Sequence, residues 1–444
     1  MIQYVYTLYT DFDEIVRDLD NKLELDFEPS FYFLFLTEST WRIYDKVLKY
    51  LRTRFPDCKM SGCIVEGYVT KEGVWTRGLA LLLFENDVEV LWTKGKTAEE
   101  TFTRLKRAMK SWSSAITIFP LFRFSSRLDI INFSILNNTL WRYRLWRARD
   151  RKSKLEVLER CSKFLEEKYV FPANKALRVF DGEKPVVGLN LLPLEAGFGT
   201  PLIFANYNVL GRSAVGVCLK EKTNAIFHDV FPERGKSYEE TTEIIRNTFT
   251  SVKEVNVLKK GVTIGEVNSI PAVEFLKRER LIQTYGENEV VRMLEEDKLR
   301  TVSPYGLAFI SEETYGSSLL GLAPYPLPIY PSLFDLNVFH DKALFVGEFF
   351  EGGVKAFRGL FEEKKFKDSF DFFVIDANAI PMFAGRCIEI RNMANEFCDR
   401  YFGIFSAFPS IRYRRLAKKH FSEIERGLCF NGTGTSVMIE IKDR

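Results

Sequence analysis

At 444 residues the chain is too long for one ordinary hydrophobic core, which predicts two domains. The 63 basic and 60 acidic side chains nearly balance at a net charge of +3, which gives no whole-chain reason to expect nucleic acid or acidic lipid as a partner. Seven cysteines, an odd number without regular spacing, favour a reducing compartment over a disulfide framework. The acidic N-terminus is not a signal peptide, and no apolar run approaches the ~18–20 residues that span a bilayer. We therefore expect a soluble cytoplasmic protein without membrane insertion.

Glutamine is rare beside abundant lysine, arginine and glutamate, because only Gln3 and Gln283 occur. Few heat-labile amides and many ion-pairing side chains are typical of thermophilic proteins. The composition therefore indicates a thermophilic source and leaves function open.

The stretch from Phe31 to Trp92 carries the clearest structural pattern. The apolar run Phe31–Leu36 predicts a strand that is buried on both faces. A helix follows until Pro56, and a second strand ends in Ser61-Gly62-Cys63-Ile64-Val65-Glu66-Gly67. The stretch is therefore expected to form a strand, a helix and a second strand with a glycine-bounded end.

Two hairpins are also predicted from apolar runs that are separated by short polar turns. The first joins Leu79–Phe84 to Val88–Trp92, and the second joins Leu336–Phe339 to Ala343–Phe349. Residues 315–332 contain four prolines and are expected to form a long surface loop.

A weaker copy of the αβ pattern lies downstream of the first. Helical spacing from Leu155 to Leu165 precedes apolar strands at Pro185–Leu189 and Ser213–Leu219. An internal αβ duplication in the N-terminal domain would explain this repetition. With a boundary near Gly261, the prediction is a mixed α/β (α+β) protein with layered sheets and helices, divided into domains 1–261 and 262–444.

The order of several segments resembles the FIST family (F-box and intracellular signal transduction proteins). The resemblance rests on Gly62–Gly67 after an apolar strand and a helix, on Gly261–Ala272, and on Phe430-Asn431-Gly432-Thr433 before a last strand. It runs from about Phe31 to Ile441, and the order of the segments carries it rather than any single motif. It implies a FIST N-like domain over 1–261, a FIST C-like domain over 262–444, and signal-linked sensing of small molecules, with amino acids among the suspected ligands.

Three strand or turn ends supply candidate ligand-binding residues, because ligands in α/β sheets gather at the carboxyl ends of strands. Where the family pattern has Cys at a strand end and Arg three residues later, this chain has Asp376 and Ala379, and Phe408-Pro409 replaces a later Gly-Glu pair. The acid favours a cationic or hydroxyl-bearing ligand. The candidates are Gly62, Cys63, Glu66, Gly67, Asp376, Asn378, Asn431 and Thr433. Each also has an ordinary structural interpretation, as a tight strand exit, a small core residue, a solvated loop acid or a turn.

No catalytic residue, metal site or cofactor is predicted. His228, His340 and His420 are scattered, and H-E-x-x-H, C-x-x-C and G-x-S-x-G are absent from the sequence. The basic run 142–154, which includes Tyr143 and Trp146, could stack bases and neutralise phosphates. The favoured interpretation of this run is a solvated helix face whose Trp and Leu pack inward.

The favoured function is a cytosolic FIST-type sensor that binds a small polar metabolite and signals through a separate protein partner. Two alternatives remain open: an enzyme whose active site has no motif, and a nucleic-acid-binding or scaffold protein that uses residues 142–154.

Overall fold

A computed structural model describes residues 1–124, 127–191, 201–231, 234–249, 251–279, 305–322, 327–347, 357–376, 388–406, 409–416 and 432–442. The described strands form four sheets. In spatial order, the first sheet contains β1 (Ile2–Thr7), β6 (Leu79–Phe84), β2 (Phe31–Thr37), β3 (Lys59–Val65), β10 (Ile203–Ala205) and β11 (Asn208–Leu210). The second contains β23 (Ser410–Arg412), β9 (Val186–Leu191), β8 (Ser114–Pro120), β12 (Ala214–Leu219) and β7 (Glu89–Thr93).

The third sheet contains β13 (Thr223–His228), β24 (Ser436–Lys442), β21 (Ser369–Asp376), β22 (Tyr401–Ser406), β4 (Gly67–Val69) and β5 (Val74–Trp75). The fourth contains β16 (Ile270–Pro271), β15 (Thr263–Val267), β14 (Ser251–Lys260), β20 (Phe339–Gly347), β17 (Tyr305–Ser311) and β18 (Ser317–Gly321), with β19 (Tyr330–Pro331) on β15. The α-helices cover the outer faces of these sheets. Those used below are α1 (Phe12–Lys22), α2 (Tyr44–Arg54), α3 (Ala98–Ala108), α4 (Arg127–Leu136), α5 (Arg142–Arg147), α6 (Arg151–Lys168), α7 (Ala173–Leu177), α8 (Tyr238–Thr248), α9 (Ala272–Arg278) and α10 (Ile388–Phe397).

Capping side chains fix where several helices begin. The Asp11 carboxylate accepts the Asp13 and Glu14 N–H groups at the start of α1, and the Ser237 hydroxyl accepts the Glu240 N–H at the start of α8. Such side chains satisfy backbone donors that a helix leaves unpaired at its N-terminus. Ser237 followed by Glu240 three residues later is the sequence signature of such a helix start.

The first three sheets repeat one arrangement. Each is centred on a parallel pair, β2–β3, β8–β9 or β21–β22. On one side of the pair lie two antiparallel strands, β6 and β1, β12 and β7, or β24 and β13. The register repeats as well, because in every pair the last residues face each other: Thr37 and Val65, Pro120 and Leu191, Asp376 and Ser406. The chain therefore contains three copies of one αβ unit.

Each unit gives one strand to a neighbouring sheet. The strand that follows the parallel pair crosses over, so that β4 pairs with β22, β10 pairs with β3, and β23 pairs with β9. The first unit thus completes the third sheet, the second completes the first, and the third completes the second. This exchange links the three units in a closed ring.

The inward faces of the three sheets share one hydrophobic core. Equivalent positions of the first parallel strands enter it together, with Phe33 from β2, Ile116 from β8 and Phe372 from β21, all buried. The Phe33 and Phe372 rings are stacked with their centroids 6.1 Å apart. The outer face of the first sheet packs on α1 and α2, and α10 lies on the outer side of the third sheet.

The fourth sheet interrupts the third unit. The chain leaves the third sheet after β13, forms α8, β14–β20 and α9, and returns to it at β21. The prediction of an α/β fold with internal duplication is therefore confirmed, and this insertion explains why the third copy is hidden in the sequence. The division at Gly261 stays a prediction; β14, on its N-terminal side, pairs with β15 and β20 on its C-terminal side.

Both predicted hairpins are wrong. β6 pairs with β1 and β2 in the first sheet, whereas β7 pairs with β12 in the second, because the intervening turn connects two units rather than two neighbours. His340-Asp341-Lys342 does not turn either, since β20 runs straight through it. Asp341 is held there by ion pairs with Arg151 and Lys259. The predicted loop over 315–332 instead contains the buried strands β18 and β19.

Truncating the shared core should be costly. Phe33→Ala or Phe35→Ala is expected to lower the free energy of unfolding by about 3–5 kcal/mol, because both rings are fully buried. Equilibrium denaturation measures this loss. Tyr9→Ala, at a side chain that is 48% exposed, is the control and should change stability by less than ~0.5 kcal/mol. A loss below ~1 kcal/mol at both phenylalanines would contradict the assignment of this strand to the core.

Gly62 tests the close approach of strands inside the ring. A Cβ at Gly62 would lie 2.0 Å from the backbone oxygen of Leu34 in the paired strand, which has no room to move. Gly62→Ala is expected to destabilise the fold by about 1–3 kcal/mol in chemical denaturation. Gly216→Ala is the matched control, since its Cβ meets only Leu105 side-chain carbons at 3.2–3.5 Å. Equal losses in the two variants would show that the Leu34 contact is not the cause.

Candidate ligand-binding site

The three crossing segments meet at the carboxyl ends of the parallel strands. The Glu66 N–H donates to the Phe405 oxygen at 3.3 Å, and the Ile64 N–H donates to the Leu202 oxygen at 3.2 Å. The Ser406 hydroxyl donates to the Asn190 backbone oxygen at 3.2 Å. Each bond joins two different units, so all three units contact one another here. Strand ends of this kind are where α/β sheets bind ligands.

Asp376 ends the first parallel strand of the third unit and is only 1% exposed. Its N–H donates to the Thr435 oxygen at 3.0 Å, and its carboxylate accepts a short hydrogen bond from the Gly434 N–H. These contacts fold residues 432–435 over the strand end. A buried carboxylate is costly unless hydrogen bonds or charges compensate it. The backbone donor at Gly434 supplies part of that compensation.

The repeat shows that the fold does not require an acid at this position. The residues equivalent to Asp376 are Thr37 in the first unit and Pro120 in the second. The last residues of the paired strands differ in the same way, since Ser406 corresponds to Val65 and Leu191. Ser406 therefore replaces apolar residues, and Asp376 puts a carboxylate where the first unit has a neutral hydroxyl and the second a proline. A few polar groups in an apolar setting are typical of small-molecule sites.

The second unit contributes a buried amide beside this strand end. Asn190, equivalent to Ile64 and Phe405, exchanges hydrogen bonds with the Ser410 hydroxyl, with Nδ2 3.0 Å from Oγ. Both side chains are completely buried. The Thr435 hydroxyl donates to the Pro409 oxygen at 3.0 Å and joins this network to the loop over Asp376.

Glu66 and Gly67 lie on the other side of β22. Gly67 pairs with Phe405, while Asp376 pairs with Ser406 across the opposite edge of the same strand. With one strand between them, the backbones of Gly67 and Asp376 are about 10 Å apart. The structure thus brings Glu66, Gly67 and Asp376 to one end of the third sheet.

Gly62 and Cys63 lie deeper, inside β3. Gly62 lets the backbones of β2 and β3 approach, and Cys63 is fully buried in the core shared by the three sheets. Burial, together with the nearby Glu66 carboxylate, raises the pKa of the Cys63 thiol well above its usual value. Cys63 is therefore a neutral thiol at physiological pH, and neither residue reaches the strand end with its side chain.

Thr433 connects the site to the fourth sheet. Its N–H donates to the Leu319 oxygen and its hydroxyl accepts the Gly321 N–H, both at 2.9 Å, so it is bound on two sides to β18. Asn378 and Asn431, the two remaining candidates, lie outside the described residues, as do the segments 192–200, 377–387 and 407–408 that follow β9, β21 and β22.

Sequence reasoning missed Asn190, Ser406, Ser410 and Thr435. A signal was present, because each second parallel strand carries a glycine three residues before its end, at Gly62, Gly188 and Gly403. Alignment of the three strands on these glycines places Asn190 and Ser406 at positions that are apolar in the other copies. The inserted fourth sheet separates the third copy from the first two and so hides this alignment in the sequence.

Other chemical groups do not point to a second centre. His228 ends β13, two strands from Asp376 in the third sheet, and its Nε2 lies 2.9 Å from the Glu363 carboxylate. No described group of three His, Cys, Asp or Glu side chains could hold a metal ion. An open cleft of about 580 Å³ lies elsewhere, between α5 and α9. In the part of the chain that the structure describes, no helix is long and apolar enough to cross a bilayer.

Two family models match different parts of the chain. The model of the FIST N domain matches residues 30–233, and the model of the AF0772-like protein C-terminal domain matches residues 239–351. An uncharacterized protein from Archaeoglobus fulgidus is 32% identical over 379 residues, which cover 85% of this chain and 99% of the relative. The chain belongs to the FIST family. The thermophilic archaeal source of the relative fits the thermophile prediction from the low glutamine content.

The family matches have a clear structural meaning. The FIST N match spans β2 to β13 and thus contains most of the first unit, the whole second unit and the first strand of the third. The AF0772-like match spans α8 to β20, which is the insertion that carries the fourth sheet. The C-terminal part of the chain therefore matches the AF0772-like model. The sequence resemblance instead predicts a FIST C-like domain there. FIST domains are sensor and signal-transduction modules.

The anchor at Thr433 can be tested by itself in this FIST protein. Thr433→Val removes the hydroxyl that accepts the partly buried Gly321 N–H and is expected to lower stability by about 1–3 kcal/mol. Thr433→Ser keeps the hydroxyl and should retain most of the stability. Denaturation gives the loss, and amide exchange at Gly321 gives its location. Unchanged exchange at Gly321 in Thr433→Val would argue against the anchor.

Proposed function

We propose that this FIST protein is a sensor that binds a small polar metabolite at the carboxyl end of β22, between Glu66 and Asp376. The observation that carries the proposal is the buried acid at Asp376, at a position where the other two copies of the unit have Thr37 and Pro120. The carboxylate holds the Gly434 N–H, and it can also bind a cationic or hydroxyl-bearing ligand at this strand end.

The chemistry of the surrounding groups favours a cationic, hydroxyl-bearing ligand, with amino acids among the candidates. The carboxylates of Glu66 and Asp376, which lie on either side of β22, can each bind an amine of a compact molecule. Asn190, Ser406 and Thr435 add neutral donors and acceptors that orient it. Small-molecule sites generally consist of a few polar groups in an apolar setting.

Output is proposed to pass through the fourth sheet to a separate protein partner. The loop that binds the Asp376 carboxylate also carries Thr433, which is hydrogen-bonded to β18. A ligand that changes the position of residues 432–435 therefore acts directly on the inserted sheet. A ligand shifts a conformational equilibrium when it binds one of the two conformations better than the other. A contact with residues 432–435 would let the ligand favour one position of this loop.

A thermal-shift screen of amino acids, polyamines and sugars tests the proposal. Glu66→Gln and Asp376→Asn are each expected to weaken a stabilising ligand by ~1–3 kcal/mol, because charged buried hydrogen bonds are lost while side-chain shape is kept. Calorimetry gives the affinity, and stability without ligand should change less. Glu99→Gln, an exposed carboxylate on α3, is the matched control and should leave affinity unchanged.

Three results would overturn the proposal. The first is a ligand whose affinity is insensitive to both substitutions, which would place the site elsewhere. The second is tight binding of purely anionic metabolites, which two carboxylates should repel. The third is chemical conversion of the bound ligand, followed by NMR, which would make the protein an enzyme.

A further inference from the structure

Residues 127–147 form one helical run that packs on the protein along one side. α4 and α5 are joined by a short π-helical turn, Asn137–Trp141, without a break in the helix. Phe133, Trp141 and Leu145 are buried on the inner side, in a cluster with α6. This inner face accounts for the attachment of the run to the rest of the molecule.

The outer side of the same run is also apolar. Leu128 is 68% exposed, Ile131 51%, Ile135 54%, Tyr143 52% and Trp146 79%. Their spacing, with the exposed Thr139 between Ile135 and Tyr143, is three or four residues throughout, which places them on one ridge opposite the buried face. A helix that is apolar on both sides is normally covered on both sides. We name these five residues the apolar ridge.

Arginines without acidic partners surround the aromatic end of the apolar ridge. Arg142, Arg144, Arg147 and Arg149 are exposed, and none forms an ion pair with a carboxylate among the described residues. Arg147 lies over the Tyr143 ring at 5.6 Å. Across the neighbouring cleft, Glu266 is paired with Lys154 and Glu274 with Lys277, so these acids do not neutralise the arginines.

We propose that the apolar ridge and its arginines bind the surface of an anionic lipid bilayer. The five side chains are exposed along one side of the helical run, as required for a helix that lies in the plane of a membrane with its apolar side chains among the acyl chains. Tyr and Trp suit the headgroup level, and arginines bind lipid phosphates. The contact lies on the bilayer and does not cross it, and it is independent of the ligand site at Asp376.

Two other occupants fit the ridge less well. Nucleic acid would use Tyr143, Trp146 and the arginines but would leave Leu128, Ile131 and Ile135 exposed to water, because aliphatic side chains do not stack on bases. A second copy of the chain would cover the aliphatic side chains but supplies no described acidic patch on this face to match the arginines. Only an anionic lipid surface uses both parts of the ridge.

Sedimentation with vesicles tests the proposal on the full-length protein. Vesicles of phosphatidylglycerol mixed with phosphatidylcholine should bind the protein, and vesicles of phosphatidylcholine alone should bind it much more weakly. Binding should weaken as salt is raised, because surface charges are screened. The tryptophan emission should shift to shorter wavelength on binding, and this shift should be largely lost in Trp146→Phe.

Matched variants separate the ridge from general charge and exposure. Arg147→Gln and Arg149→Gln should each lower the partition coefficient roughly fivefold, whereas Arg17→Gln, on α1, should leave it nearly unchanged. The double variant Ile131→Ser, Ile135→Ser should lower the partition coefficient at least tenfold, because it loses two aliphatic side chains that the bilayer would bury. Trp92→Ser, at another exposed tryptophan, is the control for the aromatic end. Circular dichroism and thermal unfolding confirm that each variant is folded.

Several outcomes would overturn the proposal. They are no binding to anionic vesicles at low salt, equal binding to both vesicle types, and binding that Trp146→Phe and the isoleucine variant leave unchanged. Tighter binding to single-stranded nucleic acid than to vesicles, with the same dependence on Trp146, would assign the ridge to nucleic acid. A dimer in sedimentation velocity that the isoleucine variant converts to a monomer would assign it to a second copy.

Discussion

The fold depends on the shared core in which the inward faces of three sheets meet. Phe33 and Phe35 from the first unit stack on Phe372 and Phe402 from the third, while the second unit fills equivalent positions with Ile116 and Ile118. No unit can bury its inward face alone, because each has only one layer of helices on its outer side. The three units therefore stabilise one another, and the ring is expected to fold as one cooperative body rather than as separable repeats.

Strand exchange strengthens this dependence. Each unit borrows the strand beside its second parallel strand, so the main-chain hydrogen bonds of every sheet come from two units. Within the first unit, β2 and β3 approach so closely that Gly62 must lack a Cβ, because a side chain there would meet the Leu34 carbonyl. The same geometry places the carboxyl ends of all three pairs together. The repetition thus brings several strand ends together, and the sequence differences between the copies place polar side chains there.

Those differences explain how one scaffold can carry a sensor site. Val65 and Leu191 continue the core, whereas Ser406 at the equivalent position bonds to the second unit. Asp376 stands where the other copies need no charge, and the loop that binds it is joined to β18 of the inserted sheet through Thr433. The insertion is therefore hydrogen-bonded to the strand end that we propose as the ligand site. The apolar ridge lies on a different helix, and under our proposal it is a second binding surface of the same protein.

The sequence by itself determined the local elements and the family. The unbroken apolar run at Phe31–Leu36, the cap at Ser237 and the glycine-bounded end at Gly62–Gly67 depend on neighbouring residues, so the strands and helices that they predict are present. Only the tertiary structure decided which strands pair, because the short turn between the apolar runs of β6 and β7 does not reveal a change of sheet. It also decided that Asn190, Ser406 and Asp376 share one strand end. Asp376 and Ser406 meet at the end of one parallel pair, and contact between the second and third units brings Asn190 from far away in the chain to their side.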